Sequence, residues 1–291
     1  MMASDRENQR LKLKDGRMLG YAEYGDASGK PVFHFNSSGG SRLEHPSDLS
    51  ILTDLGVRLI STDRPGHGIS DPQPGRKLLD WPDDVGQLAD HLNVDKFYVE
   101  GWSAGGPHAL ACAYELPDRV SAGALVSGLA PPDRPRPYEG LPFALKVMNF
   151  IGRRVPALVY LFRRLFYNML QGDPKKVEDR MASSFPPEDI KAIEESGSKD
   201  MLFTNFREGY KQSWDGPAQD DIIINSSWGF RLEDIQTRFD VWQGEIDKNV
   251  PVNQGEYQHK LLPSSRLRVL PGQAHLYLLT YWREVLETLV T

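Results

Sequence analysis

The chain has 291 residues, 40% of them hydrophobic and 25% charged, with a formal net charge of −6. This composition is typical of a folded protein with a sizeable core, and the negative balance disfavours a nucleic-acid partner, which would need a basic face. A single cysteine, Cys112, excludes an intrachain disulfide, and the polar residues 1–10 lack the apolar core of a signal peptide. We therefore expect a cytoplasmic protein without stable membrane insertion, because no apolar stretch is long enough to span a bilayer.

Predicted strands and helices alternate along most of the chain. β-prone residues on either side of Asp15-Gly16 predict an antiparallel hairpin over residues 11–24. Single strands are predicted at 31–35, 57–61, 96–100, 120–126, 239–243 and 267–270. Helices are predicted at 46–55, 81–92, 103–114, 252–262 and 276–290. This order predicts an α/β fold, a doubly wound, mostly parallel eight-stranded sheet covered by helices on both faces.

The alternation stops at residues 130–137, where closely spaced prolines forbid regular structure. Helix-prone residues follow at 141–170, divided by Pro156, and at 189–196, 201–214 and 219–225. We predict a helical cap over residues 131–229, inserted between two parts of a core domain, 1–130 and 230–291.

One stretch of the predicted cap, residues 158–166, is apolar and carries an arginine pair. It admits two interpretations. The first is an amphipathic helix that lies on a membrane surface. The second, which we favour, is a helix packed over a pocket, with its arginines extending to water.

The strongest local signal for chemistry is G-W-S-A-G at residues 101–105, between an apolar run and an alanine-rich one. A strand, a sharp turn and a helix with the pattern G-x-S-x-G form a nucleophile elbow, which lifts the serine hydroxyl above the edge of the sheet. The glycines leave room where a side chain would collide with a neighbouring strand or helix. We predict that Ser103 is a catalytic nucleophile, with a tight structural turn as the alternative.

A serine nucleophile needs a base to take its proton, and histidine does this best near neutral pH. Of the seven histidines, His275 lies in the loop after the last predicted strand, at the sheet edge that carries the elbow. The others are less well placed in helices, in a strand or in a turn-rich loop: His91, His108, His259, His45, His34 and His67. For His67 we expect a structural hydrogen bond. We predict His275 as the base.

The base in turn needs a carboxylate that fixes its tautomer and stabilises its charged form. Asp247 follows a predicted strand by a short loop and so reaches the same sheet edge. Asp240 lies within that strand and Glu245 lies close to its end, so both are weaker candidates.

An acyl-transfer site also needs two N–H donors for the developing oxyanion. The backbone N–H of Ala104, at the start of the helix that follows the serine, supplies one of them. We expect the second from the glycine-containing loop at residues 36–41.

These motifs together resemble the α/β-hydrolase fold superfamily, in particular its members with a helical cap. The resemblance spans nearly the whole chain and rests on the elbow, on D-R-P-G-H-G-I-S-D at 63–71, on G-E-I-D-K-N-V-P at 244–251 and on G-Q-A-H at 272–275. The chain order serine, aspartate, histidine is also that of this fold. The resemblance implies a triad of Ser103, Asp247 and His275, no cofactor, and a cap that determines substrate choice.

One segment departs from the pattern of the family. Where members carry H-G-x-P-G-S, this chain has N-S-S-G-G-S at residues 36–41. Alignment places Ser38 at the position of the second oxyanion donor, with Ser37 as the neighbouring alternative. Asn36, Ser37 and Trp102 are candidates for contact with substrate, although hydrogen bonding within the loop also accounts for Asn36 and Ser37.

The leading hypothesis is a serine hydrolase that cleaves a small or medium ester, a lactone or a related acyl compound, without a metal or cofactor. Aminopeptidase and carbon–carbon bond hydrolase activities remain open, because a fold does not fix its chemistry. A ligand receptor on a hydrolase scaffold is an alternative of another class. The predicted partner is therefore a small acyl molecule, and the sequence indicates no particular oligomeric state.

Overall fold

The computed structural model describes residues 6–291, within which eight strands form one sheet. The strands are β1 (Gln9–Lys12), β2 (Met18–Gly25), β3 (Lys30–Phe35), β4 (Val57–Thr62), β5 (Phe97–Trp102), β6 (Val120–Val126), β7 (Phe239–Gly244) and β8 (Ser265–Leu270). Their order across the sheet is β1-β2-β4-β3-β5-β6-β7-β8. Strand β2 pairs antiparallel with β1 and β4, and the remaining pairs are parallel. The predicted mostly parallel sheet with a hairpin at its edge is confirmed.

Helices cover both faces of this sheet. Beyond residue 49 they are α1 (Ser50–Asp54), α2 (Trp81–His91), α3 (Gly105–Glu115), α4 (Phe143–Arg154), α5 (Pro156–Leu170), α6 (Pro174–Ala182), α7 (Pro187–Ser196), α8 (Lys199–Gly209), α9 (Asp215–Ile224), α10 (Val252–Leu261) and α11 (Leu278–Val290). On one face α2 and α3 bury Trp81 and Leu110, and α10 packs beside them. On the other face α11 and α1 bury Trp282 and Leu52. The two cores enclose the parallel strands, as in a doubly wound fold.

Several predicted helix starts are wrong by two to four residues, two of them near the predicted site. Helix α1 begins at Ser50 rather than at residue 46, because the Asp48 carboxylate accepts the Ser50 N–H at 3.0 Å and holds a local turn there. Helix α3 begins at Gly105 rather than at Ser103, so the serine lies on the turn before the helix.

Helices α4–α9 lie between β6 and β7, within the residues that the sequence predicts as a cap. Pro156 begins α5, so the predicted division of the first helical run is confirmed. The sequence prediction missed α6, although Asp173 accepts the Lys176 N–H at 3.1 Å and Pro174 occupies the first turn, a recognisable helix start. The helix predicted over residues 201–214 is α8, which ends at Gly209, earlier than predicted.

A buried carboxylate on α9 ties the predicted cap to the core. Asp220 accepts hydrogen bonds from Arg64 at 2.6 Å and Arg76 at 2.5 Å, and it lies 3.4 Å from the His108 ring of α3. Burial opposes ionisation of this carboxyl, but Arg64, His108 and Arg76 hold the pKa of Asp220 well below its ordinary value. Loss of the carboxylate would leave two arginines buried without a counter-charge, so this contact fixes α9 over the core. Within residues 6–291 no helix is long and apolar enough to cross a membrane.

Candidate active site

Ser103 lies on the turn between β5 and α3. Its φ is +54°, a left-handed conformation that is strained for a residue with a Cβ. A Cβ added to Gly101 would lie 2.5 Å from the carbonyl oxygen of Gly105, and one added to Gly105 would overlap the carbonyl oxygen of Phe35. The turn therefore needs glycine at both positions, and the close approach also places residues 35–36 directly beside the elbow.

Strands β7 and β8 bring two further predicted side chains to Ser103. Asp247 follows the end of β7, and His275 lies in the loop between β8 and α11. Because β5, β7 and β8 are parallel, their carboxyl ends meet at one edge of the sheet. There His275 Nε2 lies 3.1 Å from Ser103 Oγ, and His275 Nδ1 lies 2.7 Å from Asp247 Oδ2. The three side chains form one hydrogen-bonded chain.

The Asp247 carboxylate has a full set of donors. Its Oδ1 accepts the backbone N–H groups of Asn249 at 2.8 Å and Val250 at 2.9 Å, and its Oδ2 accepts the Ser127 hydroxyl at 2.8 Å. Burial opposes ionisation, but His275 and these hydrogen bonds hold the pKa of Asp247 below its ordinary value. An ionised Asp247 only accepts, so His275 Nδ1 carries a proton and Nε2 faces Ser103 as the acceptor.

The two competing carboxylates face other partners. Glu245 is exposed and accepts the backbone N–H of Gly272 at 2.9 Å. Asp240 is buried within β7 and lies 3.3 Å from Arg238. Neither has a hydrogen bond to His275 within the part of the chain that the structure describes.

The surroundings of His275 make its ring a stronger base. Burial disfavours the charged ring, but the Asp247 carboxylate and other nearby carboxylates together raise the pKa of His275 above its ordinary 6.5. Asp189 of α7 acts in the same direction, and it accepts the Leu276 N–H at 2.7 Å. The loop that carries His275 is thus held both by electrostatic attraction and by a hydrogen bond that it donates to the predicted cap.

Other histidines lie in different environments. His34 is fully buried between Glu100 and Glu44, so it is a core residue. The backbone of His67 makes the expected structural hydrogen bond, because its N–H donates to the carbonyl oxygen of Arg64 at 2.9 Å. Its ring is fully buried and makes no hydrogen bond of normal geometry within residues 6–291, and burial lowers the pKa of His67 to about 3. That ring is therefore neutral.

The two backbone donors predicted for the oxyanion are unused. Within residues 6–291 neither the Ala104 N–H nor the Ser38 N–H has a hydrogen-bond partner. Ser37, the alternative donor, already gives its N–H to Glu44 Oε1 at 2.9 Å. The loop that carries Ser37 and Ser38 begins beside the elbow, so Ala104 and Ser38 are the donors that remain available for an oxyanion.

The three side chains predicted as candidates for substrate contact have partners or packing within the protein. Asn36 is fully buried and donates to the carbonyl oxygen of Thr62 at 2.7 Å. The Ser37 hydroxyl donates to Glu44 at 2.7 Å. Trp102 is 1% exposed and belongs to the core beneath the sheet edge. Hydrogen bonds to Thr62 and Glu44 account for the first two, and packing accounts for the third.

Sequence reasoning missed two residues that hold this site together. Glu44 accepts from both donor groups of Ser37, and from Asn205 of α8 at 2.8 Å, so it orders the loop that carries Ser38. Ser127 bonds to Asp247 from a left-handed conformation, with φ of +44°. Its position directly after β6, beside β5 and β7, was a signal that could have indicated its role.

A second charged cluster lies against Ser38. Arg163 of α5 donates to both carboxylate oxygens of Asp221 at 2.6 Å, to Ser38 Oγ at 2.5 Å and to Tyr210 Oη at 2.6 Å. Arg163 and Asp221 also line a cavity of about 270 Å³ between α4, α5 and α9. Ser103 is 8% exposed and is not among the lining residues. One side chain, Ser38, thus connects this cavity to the loop beside the elbow.

A comparison with known families decides the classification. The model of the family described as alpha/beta hydrolase fold matches residues 40–280. The chain belongs to the α/β-hydrolase fold family. Membership of this family supports a hydrolytic enzyme.

Individual relatives are similar over most of their length. The α/β-hydrolase is 28% identical over 268 residues to a non-heme haloperoxidase from Rhodococcus erythropolis, covering 91% of this chain and 92% of the relative. It is 32% identical over 293 aligned positions to a protein named probable proline iminopeptidase from Leptolyngbya boryana, covering 88% and 84%.

Solved structures are similar in fold. The crystal structure of a hydrolase from Pseudomonas aeruginosa PA01 has a TM-score of 0.71 at 21% identity, covering 97% of this chain and 98% of the other. An enol-lactonase from Burkholderia xenovorans LB400 has a TM-score of 0.69 at 18% identity, with coverage of 97% and 98%. At these identities the likeness concerns the fold alone.

Proposed function

We propose that this α/β-hydrolase is a serine hydrolase that cleaves a small or medium ester, lactone or related acyl compound through an acyl-enzyme. The observation that carries the proposal is the hydrogen-bonded chain from Ser103 through His275 to Asp247. A serine hydroxyl becomes a useful nucleophile only where a base takes its proton during the attack. In the hydrogen-bonded series, His275 is the base and Asp247 is the carboxylate that orients it.

In the first step Ser103 Oγ attacks the carbonyl carbon of the substrate while its proton passes to His275 Nε2. The Asp247 carboxylate stabilises the imidazolium that forms. The carbonyl electron pair moves onto oxygen, where the N–H groups of Ala104 and Ser38 donate to it. Loss of one such donor typically costs about 3–4 kcal/mol of transition-state stabilisation.

In the second step the tetrahedral intermediate collapses. His275 Nε2 gives its proton to the leaving alkoxide, and the acyl group stays on Ser103. A water molecule then attacks the acyl carbon with His275 again as the base, and the second collapse returns a proton to Ser103 Oγ. One ester and one water give one acid and one alcohol, and a lactone gives one hydroxy acid.

A screen of p-nitrophenyl esters of increasing chain length, together with lactones, tests the proposal on the purified protein. Repeated turnover with an initial burst of p-nitrophenol would support an acyl-enzyme. Turnover of amino-acid amides but not of esters would favour an aminopeptidase. Turnover only of substrates in which a carbon–carbon bond is cleaved would favour a carbon–carbon bond hydrolase. A single slow turnover with retained product, together with ligand-dependent binding of a partner protein, would favour the receptor.

The rate should depend on pH through His275, which acts only when it is neutral. Because its pKa is raised above 6.5, we expect the acidic limb of the kcat/KM profile to have its midpoint above pH 6.5. Asp189→Asn keeps an acceptor for the Leu276 N–H but removes a charge that raises this pKa, so its midpoint should move to lower pH. Glu245→Gln is the control and should leave the midpoint unchanged. A wild-type midpoint below 6.5 would contradict His275 as the base.

The cavity between α4, α5 and α9 should set chain-length preference if it receives part of the substrate. Phe162 and Phe166 line it, so Phe166→Ala should enlarge it and shift selectivity towards longer chains, by about tenfold or more in the ratio of kcat/KM values. Phe206→Ala is the control, because Phe206 packs in the cap without lining the cavity. If Phe166→Ala remains folded and ranks the esters as wild type does, the cavity does not determine specificity.

A further inference from the structure

Helices α4 and α5 carry apolar side chains that no other part of the described chain covers. Eight large apolar side chains between residues 143 and 165 are at least 38% exposed: Phe143, Val147, Met148, Phe150, Val155, Leu161, Phe162 and Leu165. Phe143, Val147 and Phe150 follow one another on α4 at steps of three or four residues, as do Leu161 and Leu165 on α5, which is the spacing of one helical face. Met148 and Phe162 line the same cavity, so the faces of the two helices adjoin there. We name these eight residues the α4–α5 face.

The charge of this segment is one-sided. Residues 140–172 contain one lysine and four arginines and no aspartate or glutamate, in a chain whose net charge is −6. Arg163 is paired with Asp221, at 2.6 Å. The other four basic residues are exposed: Lys146, Arg153, Arg154 and Arg164. The exposed apolar side chains are therefore flanked by positive charge, and no acidic side chain within residues 140–172 compensates it.

We propose that the α4–α5 face binds the surface of an anionic lipid bilayer. Amphipathic helices with basic flanks lie in the plane of such a surface, with apolar side chains among the headgroups and acyl chains and with lysine and arginine on the anionic headgroups. Binding is peripheral, because α5, the longer helix, has 15 residues and is too short to span a bilayer. Of the two interpretations of residues 158–166, the exposure of Leu161, Phe162 and Leu165 supports the membrane-surface helix.

Charge disfavours a second copy of the chain as the occupant. A symmetric dimer through this face would bring the same patch of both copies together. The basic residues of one copy would then face those of the other, with no acidic residue on α4 or α5 to compensate them. An anionic bilayer complements both the charge and the apolar side chains.

The position of the cavity adds a consequence that rests on the proposed function. Met148 and Phe162 are both half-exposed and line the cavity that also contains Arg163 and Asp221. On a bilayer, the opening of the cavity would therefore lie against lipid, from which an apolar ester could enter. Binding of the bilayer itself does not depend on hydrolysis.

Vesicle flotation tests the proposal on the full chain. We expect wild type to float at low salt with vesicles of phosphatidylcholine and phosphatidylglycerol, not with phosphatidylcholine alone, and to be released as salt screens the charges. The double variant Leu161→Ser/Leu165→Ser should lower the bound fraction by at least about tenfold, because it removes two apolar side chains from the lipid. Arg154→Gln/Arg164→Gln should weaken binding to the anionic vesicles.

Matched controls separate this face from general surface properties. Leu49→Ser removes a 40% exposed apolar side chain from another part of the surface, and Lys96→Gln removes an exposed charge elsewhere. Both should float as wild type does. Circular dichroism establishes that each variant is folded, and unchanged hydrolysis of a soluble ester by the leucine variant separates this test from that of the proposed function.

Several outcomes would overturn the proposal. The proposal fails if wild type does not float with anionic vesicles at low salt. It also fails if the leucine variant floats as wild type does. A dimer seen by sedimentation, dissociated by Leu161→Ser/Leu165→Ser and formed without lipid binding, would assign the face to a second copy of the chain.

Discussion

Replacement of Ser103 by alanine is expected to lower kcat/KM for every hydrolysed substrate by at least about a hundredfold, and by up to about 10⁶-fold as in a serine protease of this mechanism. The variant has no atom that can attack the carbonyl or carry the acyl group. Its fold should be retained, because the change removes one hydroxyl on a turn and leaves the glycines and the hydrogen bond of the residue 103 N–H to Val126 in place. Initial rates and thermal unfolding of both proteins check the two statements.

Ser127→Ala is the matched control for this change. It removes a serine hydroxyl at the same sheet edge, one that bonds to Asp247 rather than to His275, and should slow the reaction much less. Retention of more than about a hundredth of the wild-type rate by folded Ser103→Ala would be far above the residual rate expected without a triad member and would refute the assignment.

Asp247→Asn should slow turnover by about 10⁴-fold, as the equivalent change does in the serine-protease case. The asparagine oxygen can still accept the N–H groups of Asn249 and Val250, so the loop should keep its structure. Its amide then donates to His275 Nδ1, which forces the ring proton onto Nε2. A protonated Nε2 faces Ser103 as a donor and cannot take its proton.

Glu245→Gln is the control for the acid, with the same chemical change two residues away. It loses only the charge on an exposed acceptor for Gly272, so kcat/KM should stay near that of wild type. If Glu245→Gln were the slow variant and Asp247→Asn the active one, the acid of the triad would be Glu245. Kinetics of both variants on one ester, with their unfolding temperatures, distinguish the two outcomes.

Short-range sequence signals were enough to predict the sheet and the position of Ser103, Asp247 and His275 at one of its edges. Strand β6 has the predicted bounds, because a run of small and β-branched residues between turns is a local pattern. Ser103, Asp247 and His275 could be placed at one edge because each follows the end of a parallel strand by a short loop. Parallel topology then brings together residues that lie far apart in sequence.

Contacts that depend on how the cap segment packs could not be predicted in this way. Ser37 and Ser38 look alike in the sequence, and only the position of Glu44 shows that the Ser37 N–H is already used. The contact between Arg163 and Ser38 joins segments 125 residues apart. The sequence indicated that residues 158–166 are apolar, but it could not show that Leu165 faces solvent rather than a pocket.

The central claim is that Ser103 carries the acyl group, and covalent labelling tests it most directly. Purified wild type is treated with a fluorophosphonate probe, and peptide mass spectrometry locates the adduct. We predict one adduct, on Ser103, with hydrolysis lost in proportion to labelling and no adduct on the Ser103→Ala variant. An adduct on another serine, or hydrolysis that persists in fully labelled protein, would contradict the claim.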